Sequence, residues 1–190
     1  MSDTALAIDY EDESYEIIGG ETIMRAAAAI PHIRIQGYLF NILYNFLKGK
    51  KCEVFSEARV DFDDENSFVP DLLVVCDKNK IKETHIEGAP DFIVEVLSLS
   101  TQERDYTIKK NIYEKYGVKE YWIIDPVAKN IIVHLWKNGK YRVAGVYHGF
   151  SEKEWNEYLT DTERARQKLS LKISLYDDLE IKVNEIFESR

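Results

Sequence analysis

Cysteine, proline and glycine are scarce in this 190-residue chain, at two, four and nine residues. So few cysteines exclude a disulfide-rich scaffold, and so little glycine and proline excludes collagen-like and low-complexity chains. Cys52 and Cys76 both fall in apolar runs that read as strands. They are expected as buried, reduced thiols rather than as a bridge or a metal pair. No apolar run reaches the ~20 residues that a membrane-spanning helix needs. The opening Met1-Ser2-Asp3-Thr4 has no signal-peptide pattern. A soluble, cytoplasmic protein with no membrane partner is the expectation. Zinc-type Cys/His spacing, a glycine-rich phosphate loop, a G-x-S-x-G elbow and a G-x-G-x-x-G turn are also missing, so those chemistries have no anchor.

What the chain does have is 45% hydrophobic and 31% charged residues, enough apolar mass for one substantial core. The net charge is −9. Seven acids (Asp3, Asp9, Glu11, Asp12, Glu13, Glu16 and Glu21) precede the first base, Arg25, and read as a solvated acidic arm. The remainder is nearly neutral, so charge neither proposes a polyanionic partner nor removes one.

Turn signals and periodicity divide the chain without repeats or linkers, which reads as a single domain over 1–190, with 1–14 a flexible acidic arm. Gly19-Gly20 suggests a hairpin of 15–18 with 21–26. Pro31 opens a helix to about Lys48, with Leu39, Ile42, Leu43, Phe46 and Leu47 on one stripe. Strands are expected at 52–62, 71–76, 91–97 and 120–125. Ser100 and Glu103 fit a capping box for a helix ending at Gly117. Asn138-Gly139 predicts a hairpin of 130–136 with 140–147. Residues 151–168 read as a charged helical stretch, and 171–187 as a short strand with a helical turn. The sum is an α/β or α+β sheet with helical cover.

The informative positions are ionisable groups where the pattern calls for apolar ones. Lys109 lies mid-stripe among Ile108, Ile112, Tyr113, Tyr116 and Tyr106, where a lysine must snorkel or meet an anion. Glu95 interrupts Phe92-Ile93-Val94-Glu95-Val96-Leu97, a run apolar on both faces, where a carboxylate needs a partner or a metal. Asp71 follows Pro70 at the head of another apolar run. His32 and Gln36 share the Leu39–Leu43 stripe of the first helix, and Glu57 alternates with Phe55 and Arg59. These last three are a second tier: His32 and Gln36 rim groups, Glu57 a rim ion pair or further metal ligand. Two strand carboxylates and a lysine suit metal-assisted phosphodiester hydrolysis: the acids are hard donors for Mg²⁺, and the lysine can stabilise the transition state.

Pro70-Asp71 followed by Glu95-Val96-Leu97-Ser98 resembles the PD-(D/E)XK nuclease pattern. The continuation through Ser98-Leu99-Ser100-Thr101, Arg104-Asp105, Lys109, Tyr113 and Gly117-Val118-Lys119-Glu120-Tyr121-Trp122-Ile123-Ile124-Asp125-Pro126 is similar to the bacterial Uma-type family of restriction-endonuclease-like proteins. The likeness runs from Tyr15-Glu16 to the closing 179–187 segment. It implies a restriction-endonuclease-like mixed sheet flanked by helices, with extra β-hairpins. Asp71 and Glu95 would be the metal-binding acids and Lys109 the catalytic lysine, supplied by the helix because the usual position, two after the glutamate, is Leu97. Leu99 stands where the family often has proline, and 151–168 looks like an insertion. The reading that follows is a Mg²⁺-dependent DNA endonuclease, with Mn²⁺ as substitute metal, RNA as an open alternative substrate and a homodimer as the working unit. Lys48, Lys50, Lys51, Arg104, Lys110, Lys115 and Lys119 are expected to form a basic rim. The alternative is a non-cleaving nucleic-acid-binding or scaffold protein on the same core.

Overall fold

The computed structural model describes residues 15–188, so the arm proposed for 1–14 lies outside the described residues. In chain order, the hairpin β1 (Tyr15–Ile18) and β2 (Glu21–Met24) turns through Gly19 and Gly20, both at positive φ. Helix α1 (Ile30–Leu47) starts at Pro31, where a missing N–H costs nothing. Strands β3 (Glu53–Ser56), β4 (Val60–Asp63), β5 (Asn66–Phe68), β6 (Leu72–Val75), β7 (Ile86–Glu87) and β8 (Phe92–Val96) follow. A helix over 102–116 leads to β9 (Glu120–Asp125). The hairpin β10 (Asn130–Lys137) and β11 (Lys140–His148) comes next, then β12 (Ser170–Lys172), β13 (Glu180–Lys182) and a closing helix, Val183–Glu188.

The main sheet is mixed, in the order β11-β10-β9-β8-β6-β3, with β8 and β9 parallel and the other pairs antiparallel. A second sheet, β2-β1-β5-β4-β7, carries the N-terminal hairpin. The helix 102–116 makes the crossover that a parallel β8–β9 pair requires. Both faces of β8 are covered, which is why its sequence does not alternate. Phe92, Val94 and Val96 pack in a cluster with Ile35, Leu39 and Leu43 of α1. Ile93 and Leu97 join Phe68, Tyr113, Tyr121 and Ile123 in a second cluster. Glu95 lies between Ile93 and Leu97 on that face of the strand and is itself buried.

Several expectations need correction. The 52–62 strand is two strands in different sheets, broken at Glu57, whose φ of 52° lets the chain leave the main sheet. Cys52 and Cys76 form a disulfide: β3 pairs antiparallel with β6, Glu53 opposite Val75, so the residues just outside that pair meet. Apolar sequence context identified the strands but not their register. The stretch 151–168 is not one helix. A π turn, Glu154–Tyr158, and a helix, Asp161–Arg166, are separated where Thr160 takes extended backbone and forms a capping box with Glu163.

The helix 102–116 departs from regularity where it matters most. Its first turn (Gln102–Arg104) passes into a π turn (Asp105–Lys109) before the α segment Lys110–Tyr116. Ser100 does not cap it; Thr101 occupies the N-cap without a side-chain cap bond. The wider turn rotates the faces relative to a 3.6-residue wheel. Tyr106 and Ile108, expected inside, are exposed, while Asp105 and Lys109 are buried. Gly117 ends the helix in the left-handed region, as expected of a C′ glycine. No helix among the described residues is long and apolar enough to cross a membrane.

Candidate active site

The antiparallel register of β6 and β8 sets Leu72 opposite Val94, which brings Asp71 and Glu95 to the same end of the main sheet. Both line one cavity of about 400 Å³, together with Glu16, His32, Asp105 and Lys109. Asp71 is clamped from three sides. Its Oδ2 accepts the Val96 N–H at 2.7 Å, and its Oδ1 lies 3.0 Å from His32 Nε2, although that ring nitrogen makes no hydrogen bond. Its backbone carbonyl accepts from Gln36 Nε2 at 3.0 Å. Gln36 also donates to Ser56 Oγ, so it braces the Asp71 backbone instead of lining the rim. His32 does line the cavity. Glu57 stands at the mouth, exposed, and pairs with Arg25 at 3.2 Å, which favours the rim ion pair over a ligand role.

Lys109 reaches into this cluster from the π turn. Its ammonium lies 2.8 Å from Glu16 Oε1, 3.1 Å from Glu95 Oε1 and 3.5 Å from Asp105 Oδ1. The Tyr113 hydroxyl donates to the same Glu95 oxygen at 2.7 Å. Glu16 is anchored in turn by the Val69 N–H at 3.0 Å. Burial alone would pull the lysine pKa down, but Glu95, Glu16 and Asp105 outweigh it and hold the ammonium charged. Burial pushes the Glu95 carboxyl well above its ordinary value; Lys109 counters this, while Asp105, Asp71 and Glu16 add to it. Asp105 is raised for the same leading reason, with Lys109 and a bond from Thr101 opposing.

Two of these residues were not singled out from the sequence. Asp105 carried a usable signal, since it sits four positions before Lys109 and helical neighbours at that spacing face each other. Glu16 was counted with the acidic leader. Its side-chain partners are far along the chain, the nearest 53 positions on, so no local pattern marks the side chain as buried. The expected basic rim does not assemble: of its seven members only Arg104 lines the cavity, while Lys50, Lys115 and Lys119 pair with Asp178, Asp63 and Asp91.

The donors suit a hard divalent cation. Mg²⁺ is commonly held by one or two carboxylates while keeping several waters, and Asp71 and Glu95 offer oxygen donors on adjacent strands. Asp105 Oδ1 is buried without a hydrogen bond, and crowded acids of this kind gain from a cation. Among the described residues no three His, Cys, Asp or Glu side chains converge as a ready-made cage. Water or substrate would therefore complete the shell.

A mixed sheet with acids at one end, opposite the lysine of the crossover helix, is a restriction-endonuclease-like architecture. The chain belongs to the Uma2 family, described as "Putative restriction endonuclease", whose model matches residues 3–173. It is 30% identical over 103 residues to the uncharacterized protein slr1290 of Synechocystis sp., a stretch covering 53% of this chain and 54% of that relative. The chain thus spans about half the length of the curated relative it matches. It shares its fold with a crystal structure of "a putative nuclease belonging to DUF820" from Anabaena variabilis. The TM-score is 0.68 at 22% identity, covering 91% of this chain and 89% of that one.

Proposed function

We propose that this chain is a metal-dependent endonuclease that hydrolyses DNA phosphodiester bonds at a PD-(D/E)XK-type site. Asp71 and Glu95 would hold Mg²⁺, with Mn²⁺ as a substitute, and Lys109 would assist. The observation that carries the reading is the lysine: it comes from a different element, yet lies 3.1 Å from Glu95 in the cavity that Asp71 also lines. When bound, the cation would supply a water of lowered pKa and offset charge on the phosphate. The protein's own part is positional and electrostatic. The Val96 N–H fixes one Asp71 oxygen and leaves the other toward His32. Lys109, held protonated by its acids, acts as a fixed positive charge beside the reacting phosphate and not as a proton acceptor. A homodimer belongs to the same proposal, with RNA as an alternative substrate.

Purified protein should nick or cut plasmid DNA with Mg²⁺ or Mn²⁺ and stop on chelation. Asp71→Ala and Glu95→Ala should abolish cutting, because each removes a ligand. Lys109→Ala should cost about 10²-fold, the loss of one electrostatic contact to the transition state. A non-cleaving scaffold is the second reading, favoured by the net charge of −9 and the absence of a preformed cation cage among the described residues. It replaces the first if wild type and variants bind DNA alike and none cuts any DNA or RNA form.

A further inference from the structure

The helix that brings Asp105 and Lys109 to the cavity also brings a cation without an anion. Arg104 is half-buried at the start of the helix 102–116 and lines the cavity beside Ser98 and Thr101. Its Nε is buried with no hydrogen-bond partner, and the side chain has no ion pair among the described residues. The other cations of the cavity are committed: Lys109 to Glu16, Glu95 and Asp105, and Arg25 to Glu57. In a space lined by so many acids, an arginine left without a carboxylate is unusual, because its five donors fit planar anions in pairs. Keeping the Nε–H dry and unpaired costs free energy unless a ligand satisfies it.

We infer that Arg104 is the phosphate-binding residue of the cavity: its guanidinium takes a backbone phosphodiester of the nucleic acid and holds it in the cavity that the carboxylates and Lys109 also line. The inference rests on the reading of the site as nucleic-acid-directed, but not on cleavage. The acids repel a phosphate until they are neutralised, so a fixed, uncommitted positive charge in the cavity is what admits the strand without metal.

The test is binding of a short DNA duplex, its single strand and RNA of the same sequence, followed by fluorescence anisotropy with divalent metal withheld. Arg104→Gln should weaken binding of the preferred form about tenfold, as expected for one charged hydrogen-bonding contact, and should lower the slope of log affinity against log salt by about 0.7–0.9, one phosphate contact. Arg104→Lys should restore the salt slope but only part of the affinity, since it keeps the charge and loses the fork. Melting temperature should not fall below the wild-type value, because the Arg104 side chain bonds nothing else among the described residues and its Nε is unpaired. Unchanged affinity and slope in Arg104→Gln overturn the inference, as does a wild-type chain that binds none of the three forms. If the wild type binds in an Arg104-dependent way yet cuts nothing, the inference stands and the cleavage reading falls. If it cuts and Arg104→Gln binds as before, the reverse holds.

Discussion

Glu95 shows how burial and neighbouring acids set the energetics of one carboxyl. Its carboxyl is raised by burial and by the neighbouring acids, so the folded state binds a proton that the unfolded chain releases near the ordinary value of 4.5. Stability from this group is complete below that value and is lost as pH rises through the folded pKa. Glu95→Gln removes that loss and keeps an oxygen for Tyr113 and Lys109, while Lys109 retains Glu16 and Asp105. The variant should therefore melt at or above the wild-type temperature at pH 8, with a flatter stability–pH curve above pH 5, and bind no Mn²⁺. Calorimetry across pH checks this, and a clear destabilisation at pH 8 would make Glu95 a structural ion-pair partner. Glu95 and Lys109 could be found from sequence because each breaks an apolar pattern that is itself strong, whereas Asp71 heads its run and stands out through the Pro70-Asp71 pair that carries the resemblance. Glu16 could not, because in sequence it follows a run of other acids and only tertiary pairing marks it as buried.

At the scale of elements, strands with two buried faces and helices with clear ends were readable: β8, β9, the β10–β11 hairpin through Asn138-Gly139, and the stop at Gly117. The π turn was not. One residue more per turn leaves composition untouched but rotates everything after it, so the wheel placed Lys109 correctly and Tyr106 and Ile108 wrongly. The disulfide was hidden for a related reason, since it depends on which residues of β3 and β6 face each other. Gly117 offers a direct test of the helix end. Its φ is 75°, and an added Cβ would meet Trp136 only at ordinary contact, 3.9 Å. Backbone strain is then the whole penalty, and Gly117→Ala should cost about 1 kcal/mol in denaturant unfolding. A cost near zero would mean the segment relaxes out of the left-handed region.

For the molecule as a whole, cation binding and folding should be linked. A ligand that binds only the native state at a hundred times its dissociation constant adds about 2.7 kcal/mol. For a chain of this size that is a rise of about 5–10 °C in melting temperature. Saturating Mn²⁺ should produce it in the wild type and not in Asp71→Ala, more strongly at pH 8 than at pH 5, because the ligands must first lose their protons. An equal rise in Asp71→Ala would place the cation elsewhere.

The contact between Glu16 and Lys109 also sets an order of assembly. Glu95 and Lys109 are 14 positions apart and belong to one strand–helix–strand unit, so their meeting closes a short loop. Glu16 must return from the first described strand to Val69, 53 positions on, and wider loops cost more entropy and close later. The N-terminal hairpin thus acts as a latch on a site already built: lifting it strips one carboxylate from the lysine and exposes the Val69 amide while the main sheet persists. Native-state hydrogen exchange should find the Val69 amide less protected than the Val96 amide; equal protection would mean that latch and sheet open together.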